Sequence, residues 1–82
     1  MKYKPVIVSW RDITTKNGWN EQEEIDAYIM DENENIVYQV GFLYEQDDQQ
    51  ICLLNSYFSG QDLLGDLTKI PKGCILDVKQ LQ

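Results

Sequence analysis

The segment that most limits the fold is residues 35–45, NIVYQVGFLYE, because apolar and aromatic side chains recur there at every second position. Alternation with a period of two is typical of a β-strand that buries one face. The residues on this face are Ile36, Tyr38, Val40, Phe42 and Tyr44. We predict that this strand supplies the core, with Val40 and Phe42 largely buried. Gly41, on the opposite face, indicates a bend or a bulge.

Further strands are indicated by short β-branched or aromatic segments that end in turn residues. These segments are residues 5–10, 51–58, 67–70 and 74–81. Pro5 suits the start of a first or edge strand, and residues 46–49, QDDQ, form a turn that makes a hairpin of the strands on either side. We predict loops at residues 11–19 and 59–66, which are rich in Gly, Asn, Asp, Ser and Thr.

A short helix is predicted over residues 21–29. Asn20 fits the N-cap position, and Glu23 follows three residues later, as in a capping box. Ile25, Tyr28 and Ile29 then recur at helical spacing. The alternative interpretation takes residues 27–30, AYIM, as a strand that forms a hairpin with residues 35–38 around the acidic turn DENEN.

Together these elements predict an α+β, mostly β, fold in a single domain of residues 1–82. The expected architecture is a small, bent antiparallel β-barrel with one short helix after the first strand. The first and last strands are expected to lie side by side. Residues 67–78, LTKIPKGCILDV, predict a strand, a tight turn and a strand, and a similar isoleucine–proline turn closes Src-homology-3-like barrels. That analogy concerns the fold and carries no function.

The residue types argue against catalysis and against a bound metal. The chain has no His, which removes the usual general base and the commonest metal ligand. Its two cysteines, Cys52 and Cys74, are too few for a zinc site and are predicted to be buried free thiols. DENEN begins like a calcium loop, but Ile36 and Phe42 stand where an EF-hand needs Gly and Glu. We therefore predict no enzyme, no cofactor and no metal site.

No apolar segment reaches the length of about 18 residues that a membrane-spanning helix requires. The first ten residues, MKYKPVIVSW, lack the long apolar stretch of a signal peptide. Membrane association and secretion are therefore not expected.

Charge is strongly segregated along the chain. Residues 17–68 hold no Lys, Arg or His but contain twelve of the fourteen acidic residues, in a chain of net charge −7. Segregation of charge along the chain bears on which partners a protein binds and on its solubility, and it does not indicate the fold. The acidic residues near the helix either solubilise the surface or bind a partner protein by imitating a phosphate backbone. The candidate partner-binding residues are Glu21, Glu24, Asp31 and Glu32.

Basic residues from the two ends of the chain suggest a different site. If the terminal strands are neighbours, the first loop comes near the IPKG turn, and the backbone amides of that turn suit an anion. Tryptophans beside the first loop offer a surface on which a ring could stack, although large aromatic residues in small domains mostly belong to the core. The candidate ligand-binding residues are Trp10, Arg11, Lys16, Trp19, Lys69 and Lys72. In this alternative, the protein is an oligomer that sequesters a small anionic, nucleotide-like ligand.

Several short motifs occur together in a characteristic order. They are Trp10-x-Asp12, Gly18-Trp19, VGFLYE at residues 40–45, Asp47-Asp48, Ile51 and LTKIPKGCI at residues 67–75. In this order they resemble a group of small accessory proteins of tailed bacteriophages and prophages, although residues 26–35 match poorly. The group has no settled function, so the resemblance implies no catalytic residue.

The resemblance implies a phage-encoded binding protein, made in the cytoplasm of the bacterial host, that blocks a host or defence factor. A minor virion or assembly component is a further alternative. We expect no direct binding to nucleic acid.

Overall fold

The computed structural model describes residues 1–32 and 35–81. In chain order the elements are β1 (Lys4–Arg11), α1 (Gln22–Met30), β2 (Ile36–Gln46), β3 (Gln50–Tyr57), β4 (Leu64–Pro71), a 3-10 turn (Lys72–Cys74) and β5 (Ile75–Gln80). The mostly β composition with one short helix after the first strand is confirmed. β4 begins three residues earlier than predicted, because Ser56 and Tyr57 pair with Gly65 and Leu64.

All five strands form one antiparallel sheet in the order β4-β3-β2-β1-β5. The first and last strands are neighbours, as predicted, with Val8 opposite Val78. Within the described residues no ladder joins β4 to β5, so hydrogen bonds do not close the sheet into the predicted barrel. The sheet is nevertheless bent, since the Gln39 side-chain amide of β2 donates to Thr68 Oγ1 of β4 across the intervening strand, at 3.3 Å.

The predicted phase of β2 is wrong. Val40 is 60% exposed and Tyr38 is more exposed still, whereas Gly41 on the opposite face is buried. The reason is steric: a Cβ at Gly41 would lie 3.1 Å from Leu53 Cβ and 3.2 Å from the Leu54 carbonyl oxygen. This close approach to β3 places the glycine face of β2 toward the core.

Phe42 shares the outer face with Val40 and is only half-buried, with its ring centroid 5.1 Å from that of Tyr57. The register shift between β2 and β3 lies between Leu43 and Glu45 rather than at Gly41. Gly41 therefore allows β2 to pack closely against β3 and does not mark a bulge.

The core is small and comes mainly from β1, β3 and β4. Its central cluster consists of Val6, Val8, Ile51, Leu53 and Ile70. Leu54 and Cys52 are also buried, whereas Cys74 is half-buried at the margin. A chain of this length can bury only a limited share of its surface, so each of these side chains carries a large part of the stability.

The predicted helix is confirmed, and the alternative strand at residues 27–30 is wrong. The predicted capping box is also wrong: Glu21 is the N-cap, and its side chain makes no capping hydrogen bond. The Asn20 amide instead donates to the carbonyl oxygens of Asn17 and Gly18, at 3.2 and 3.1 Å. Gly18 has a positive φ of 82°, which glycine adopts readily, and Asn20 closes this preceding turn. In the acidic turn DENEN, Asn33 and Glu34 lie outside the described residues.

Replacing Leu53 by Ala should lower the free energy of unfolding by about 2–5 kcal/mol, because a fully buried leucine leaves a cavity when truncated. The control Val40→Ala removes a side chain that is mostly exposed and should cost less than about 1 kcal/mol. Urea denaturation of both variants measures the difference. Equal losses would contradict the assignment of the core to the Gly41 face of β2.

Candidate functional site

The connection between β1 and β2 extends away from the sheet as an arm, formed by residues 12–32 and 35. The molecule measures 57 × 22 × 21 Å, and its radius of gyration is 16.7 Å. A compact chain of this length has a radius of gyration of about 12 Å. No residue of α1 is buried. The helix therefore belongs to an extension of the molecule and not to its core.

Three hydrogen bonds hold the base of the arm. The Asp12 backbone N–H donates to the Asn35 carbonyl oxygen at 2.8 Å, and the Asn35 side-chain amide donates back to the Asp12 carbonyl oxygen. The Arg11 guanidinium donates to the Glu32 carbonyl oxygen at 3.1 Å. The two ends of the arm are thus joined where they leave the sheet.

Within the arm, Tyr28 connects the helix to the irregular segment that precedes it. The hydroxyls of Thr14 and Tyr28 are hydrogen-bonded, and the Lys16 ammonium lies 5.9 Å from the centroid of the Tyr28 ring. Ile25 and Tyr28 are the half-buried residues of α1. An isolated helix of nine residues is marginal in water, so these contacts give the arm a defined structure.

The outer surface of the arm combines exposed apolar side chains with carboxylates. Trp19 and Ile13 are almost wholly exposed, Ile29 is 72% exposed and Met30 is 78% exposed. The four predicted partner-binding residues, Glu21, Glu24, Asp31 and Glu32, are exposed on the same arm. Sequence reasoning placed these carboxylates around the helix but did not anticipate the apolar residues between them. The length of the helix was the signal for their exposure. A helix of nine residues cannot bury side chains on every side, so some of its apolar residues stay exposed.

The six residues of the predicted anion site come from β1, the arm, β4 and the 3-10 turn, and the register of β1 with β5 places Trp10 opposite Ile75, directly after that turn. Trp10 packs against the core cluster, and its indole N–H donates to Gln39 Oε1 at 3.1 Å. This contact favours the core interpretation for Trp10. Lys16 and Trp19 lie on the arm, and the Arg11 side chain holds its base.

Lys69 and Lys72 lie on β4 and on the 3-10 turn. Among residues 1–32 and 35–81, no hydrogen bond, ion pair or cation–π contact joins either lysine side chain to the tryptophans or to Arg11. The Lys72 backbone N–H donates to the Gln49 carbonyl oxygen at 2.8 Å, and the Lys72 carbonyl oxygen accepts from the Ile75 N–H. A common site for these six residues stays a prediction.

A tyrosine cluster on the outer face was missed by the sequence reasoning. Tyr3 contacts Tyr44 and Tyr57, with ring centroids 5.6 and 4.9 Å apart. These three rings, with Lys2 and Phe58, line part of a cavity of about 270 Å³. The signal for this cluster was the aromatic alternation of β2. It correctly predicted that the aromatic side chains of β2 share one face, but we assigned that face to the core.

The molecule exposes more surface than a compact monomer. Its accessible surface is 6,495 Å², whereas a compact protein of 9.6 kDa exposes about 5,100 Å². This excess of accessible surface is similar to the area that one partner buries in a protein–protein interface of ordinary or large size. Large apolar side chains such as Trp19, Ile13 and Met30 contribute to the exposed surface, and large exposed apolar patches mark interaction sites.

In the part of the chain that the structure describes, no three His, Cys, Asp or Glu side chains are grouped so that they could hold a metal ion. No described helix has the length and apolar character needed to cross a membrane. A search of protein families, curated proteins and solved structures finds no significant match to this chain.

Tyr28→Phe should loosen the arm without affecting the sheet, because it removes the hydroxyl that is bonded to Thr14. We expect faster hydrogen exchange at the amides of α1, since local opening costs little where no side chain is buried. Tyr38→Phe, on the exposed face of β2, is the matched control and should leave exchange in α1 unchanged. Unaltered exchange in the Tyr28 variant would show that the arm does not depend on this hydrogen bond.

Proposed function

We propose that this chain is a non-enzymatic, phage-type binding protein whose arm covers a surface of a host protein, such as a defence factor. The observation that carries the proposal is the exposure of Trp19, Ile29 and Met30 on the projecting arm, among carboxylates. Tryptophan is among the residues that contribute most to binding at protein interfaces. A fully exposed tryptophan on an ordered arm suits such an anchor.

The charge of the arm specifies the kind of partner. From Asn17 to Glu32 the arm carries six carboxylates and no basic residue. A complementary partner therefore has a basic surface around an apolar pocket that accepts Trp19. Attraction between opposite charges accelerates association, whereas the buried anchor slows dissociation. The basic groove of a nucleic-acid-binding host protein has this chemistry.

We further propose that the sheet is an open barrel of the Src-homology-3-like type. The strand order, the 3-10 turn between β4 and β5 and the contact of β2 with β4 through Gln39 and Thr68 support this. A barrel of this type would act as the rigid base of the arm. The phage origin and the site of synthesis, the bacterial host cytoplasm, follow from the resemblance of the sequence motifs.

Affinity capture from host cells, followed by mass spectrometry, provides the partner for the decisive measurement. Binding of the purified partner is then measured by calorimetry and by stopped-flow kinetics. Trp19→Ala should weaken binding by at least about tenfold, as loss of a central anchor does. The triple variant Glu21→Lys, Glu24→Lys, Glu32→Lys should slow association and reduce its salt dependence.

A matched triple variant, Glu45→Lys, Asp48→Lys, Asp62→Lys, changes the net charge equally but lies away from the arm, near the end of β2 and on the β2–β3 and β3–β4 connections. It should retain affinity if the arm is the binding surface. Equal losses of affinity in both triple variants would show that binding depends only on the net charge of the protein and would contradict the proposal.

The same titrations examine the alternative of a small anionic ligand. Arg11→Ala and Lys72→Ala should abolish binding of a co-purified nucleotide-like anion if that alternative is correct, while the triple variant Glu21→Lys, Glu24→Lys, Glu32→Lys remains active. Recovery of the protein in purified virions, with no host protein bound, would favour the assembly component instead.

A further inference from the structure

β5 is a free edge of the sheet. It pairs with β1 on one side, and within the described residues no strand pairs with its other side. Every residue from Leu76 to Gln80 is exposed. An unpaired edge presents backbone N–H and C=O groups to which another strand can add.

The pattern of backbone hydrogen bonds shows which residues of β5 present these groups. The Leu81 N–H donates to the Pro5 carbonyl oxygen at 3.0 Å, and the register continues with Ile7 opposite Lys79 and Ser9 opposite Asp77. In an antiparallel ladder, bonded and non-bonded pairs alternate. Leu81, Lys79 and Asp77 therefore direct their backbone groups toward β1. Val78 and Gln80 direct theirs outward.

The charges of β5 are arranged to complement themselves. Asp77 and Lys79 are its charged residues, and they share one face of the strand, with their side chains 4.0 Å apart. In an antiparallel pair of β5 strands centred on Val78, Asp77 of each copy lies opposite Lys79 of the other. Centring the pair on Asp77 or on Lys79 would place like charges opposite each other, which is unfavourable.

We propose that β5 is a dimerisation strand, which pairs antiparallel with β5 of a second copy about a two-fold axis at Val78. The two Val78 residues exchange two backbone hydrogen bonds through their outward N–H and C=O groups. The Asp77–Lys79 pairs fall at non-hydrogen-bonded positions, where cross-strand side chains are closest. The two five-stranded sheets become one continuous sheet, and the interface is self-complementary, as a two-fold dimer requires.

The opposite edge of the sheet is less suited to such pairing. Asp66 interrupts β4 with a positive φ of 47°, and β4 ends at Pro71, which has no backbone N–H. Kinks and prolines are usual features of edge strands that do not pair further. β5 has one irregularity of its own, a register shift against β1 at Leu76, but Asp77–Gln80 keep an unbroken register, and this segment contains the residues on which the proposed pairing is centred. The surface that the molecule exposes beyond that of a compact monomer of its mass agrees with such a partner.

Sedimentation equilibrium of the purified chain measures this directly. The wild-type protein should sediment at twice 9.6 kDa. Asp77→Lys alone or Lys79→Asp alone places like charges opposite each other across the two-fold axis and should produce monomers. The double variant Asp77→Lys, Lys79→Asp restores opposite charges and should restore the dimer. Both side chains are exposed, so circular dichroism and thermal melting should confirm that all three variants are folded.

Lys69→Asp on β4 makes the same charge change at the other edge and should leave the dimer intact. Val78→Pro removes an outward N–H that the pairing with β1 does not use, and should yield a folded monomer. Trp19→Ala should remain dimeric, which separates this interface from the arm. A wild-type monomer at every concentration, or a double variant that fails to reassociate, would overturn the proposal, as would dissociation by Lys69→Asp.

Discussion

At Gly41, β2 approaches β3 so closely that a single methyl group would lie 3.1 Å from Leu53 Cβ. The rest of the sheet depends on this approach. It turns the glycine face of β2 toward the core and allows Leu53, Ile51 and Ile70 to pack against Val6 and Val8. It also brings Gln39 within reach of Thr68 on β4. A larger residue would hold the two strands apart and open the core.

The small core has a consequence for the surface. Few apolar side chains can be enclosed by a chain of 82 residues, and many large ones remain outside. They lie in distinct places: on the arm, around the tyrosine cluster and along the outer face of β2. Exposed apolar groups in this quantity are costly for a protein that acts alone. An arm that binds a host protein and an edge that binds a second copy would each remove part of that cost.

The arm and the β5 edge use charge in different ways. On the arm, seven carboxylates between Asp12 and Glu32 outnumber the single basic side chain, Lys16, and produce a mainly negative field, which selects a partner of the opposite sign. On β5, one carboxylate and one ammonium alternate, and the strand thereby complements itself. Asp12, Asn35 and Arg11 hold the base of the arm beside the sheet. A dimer would therefore present two arms, and two arms bind a partner with two sites more tightly than one arm does.

Local sequence determined the elements of this protein. β-branched segments, turn residues and the spacing of Ile25 and Tyr28 indicated five strands and a helix in the right order, because these signals act between residues a few positions apart. The adjacency of the terminal strands and the acidic character of the helix could also be predicted. The acidic candidates Glu21, Glu24, Asp31 and Glu32 were identified in this way, since charge is a property of composition.

Tertiary structure decided which face of each element is used. The alternation of β2 is equally compatible with either face being buried. The aromatic face was the wrong choice because the Leu53 Cβ and the Leu54 carbonyl oxygen of β3 leave room only for glycine at position 41. Asn20 could have capped α1, but the turn at Gly18 draws its side chain back. Whether Trp19 is exposed, and whether the backbone amide of Val78 is left pointing outward, depends on which other parts of the chain lie beside these residues. Only the path of the whole chain determines such neighbours, because they are distant in sequence.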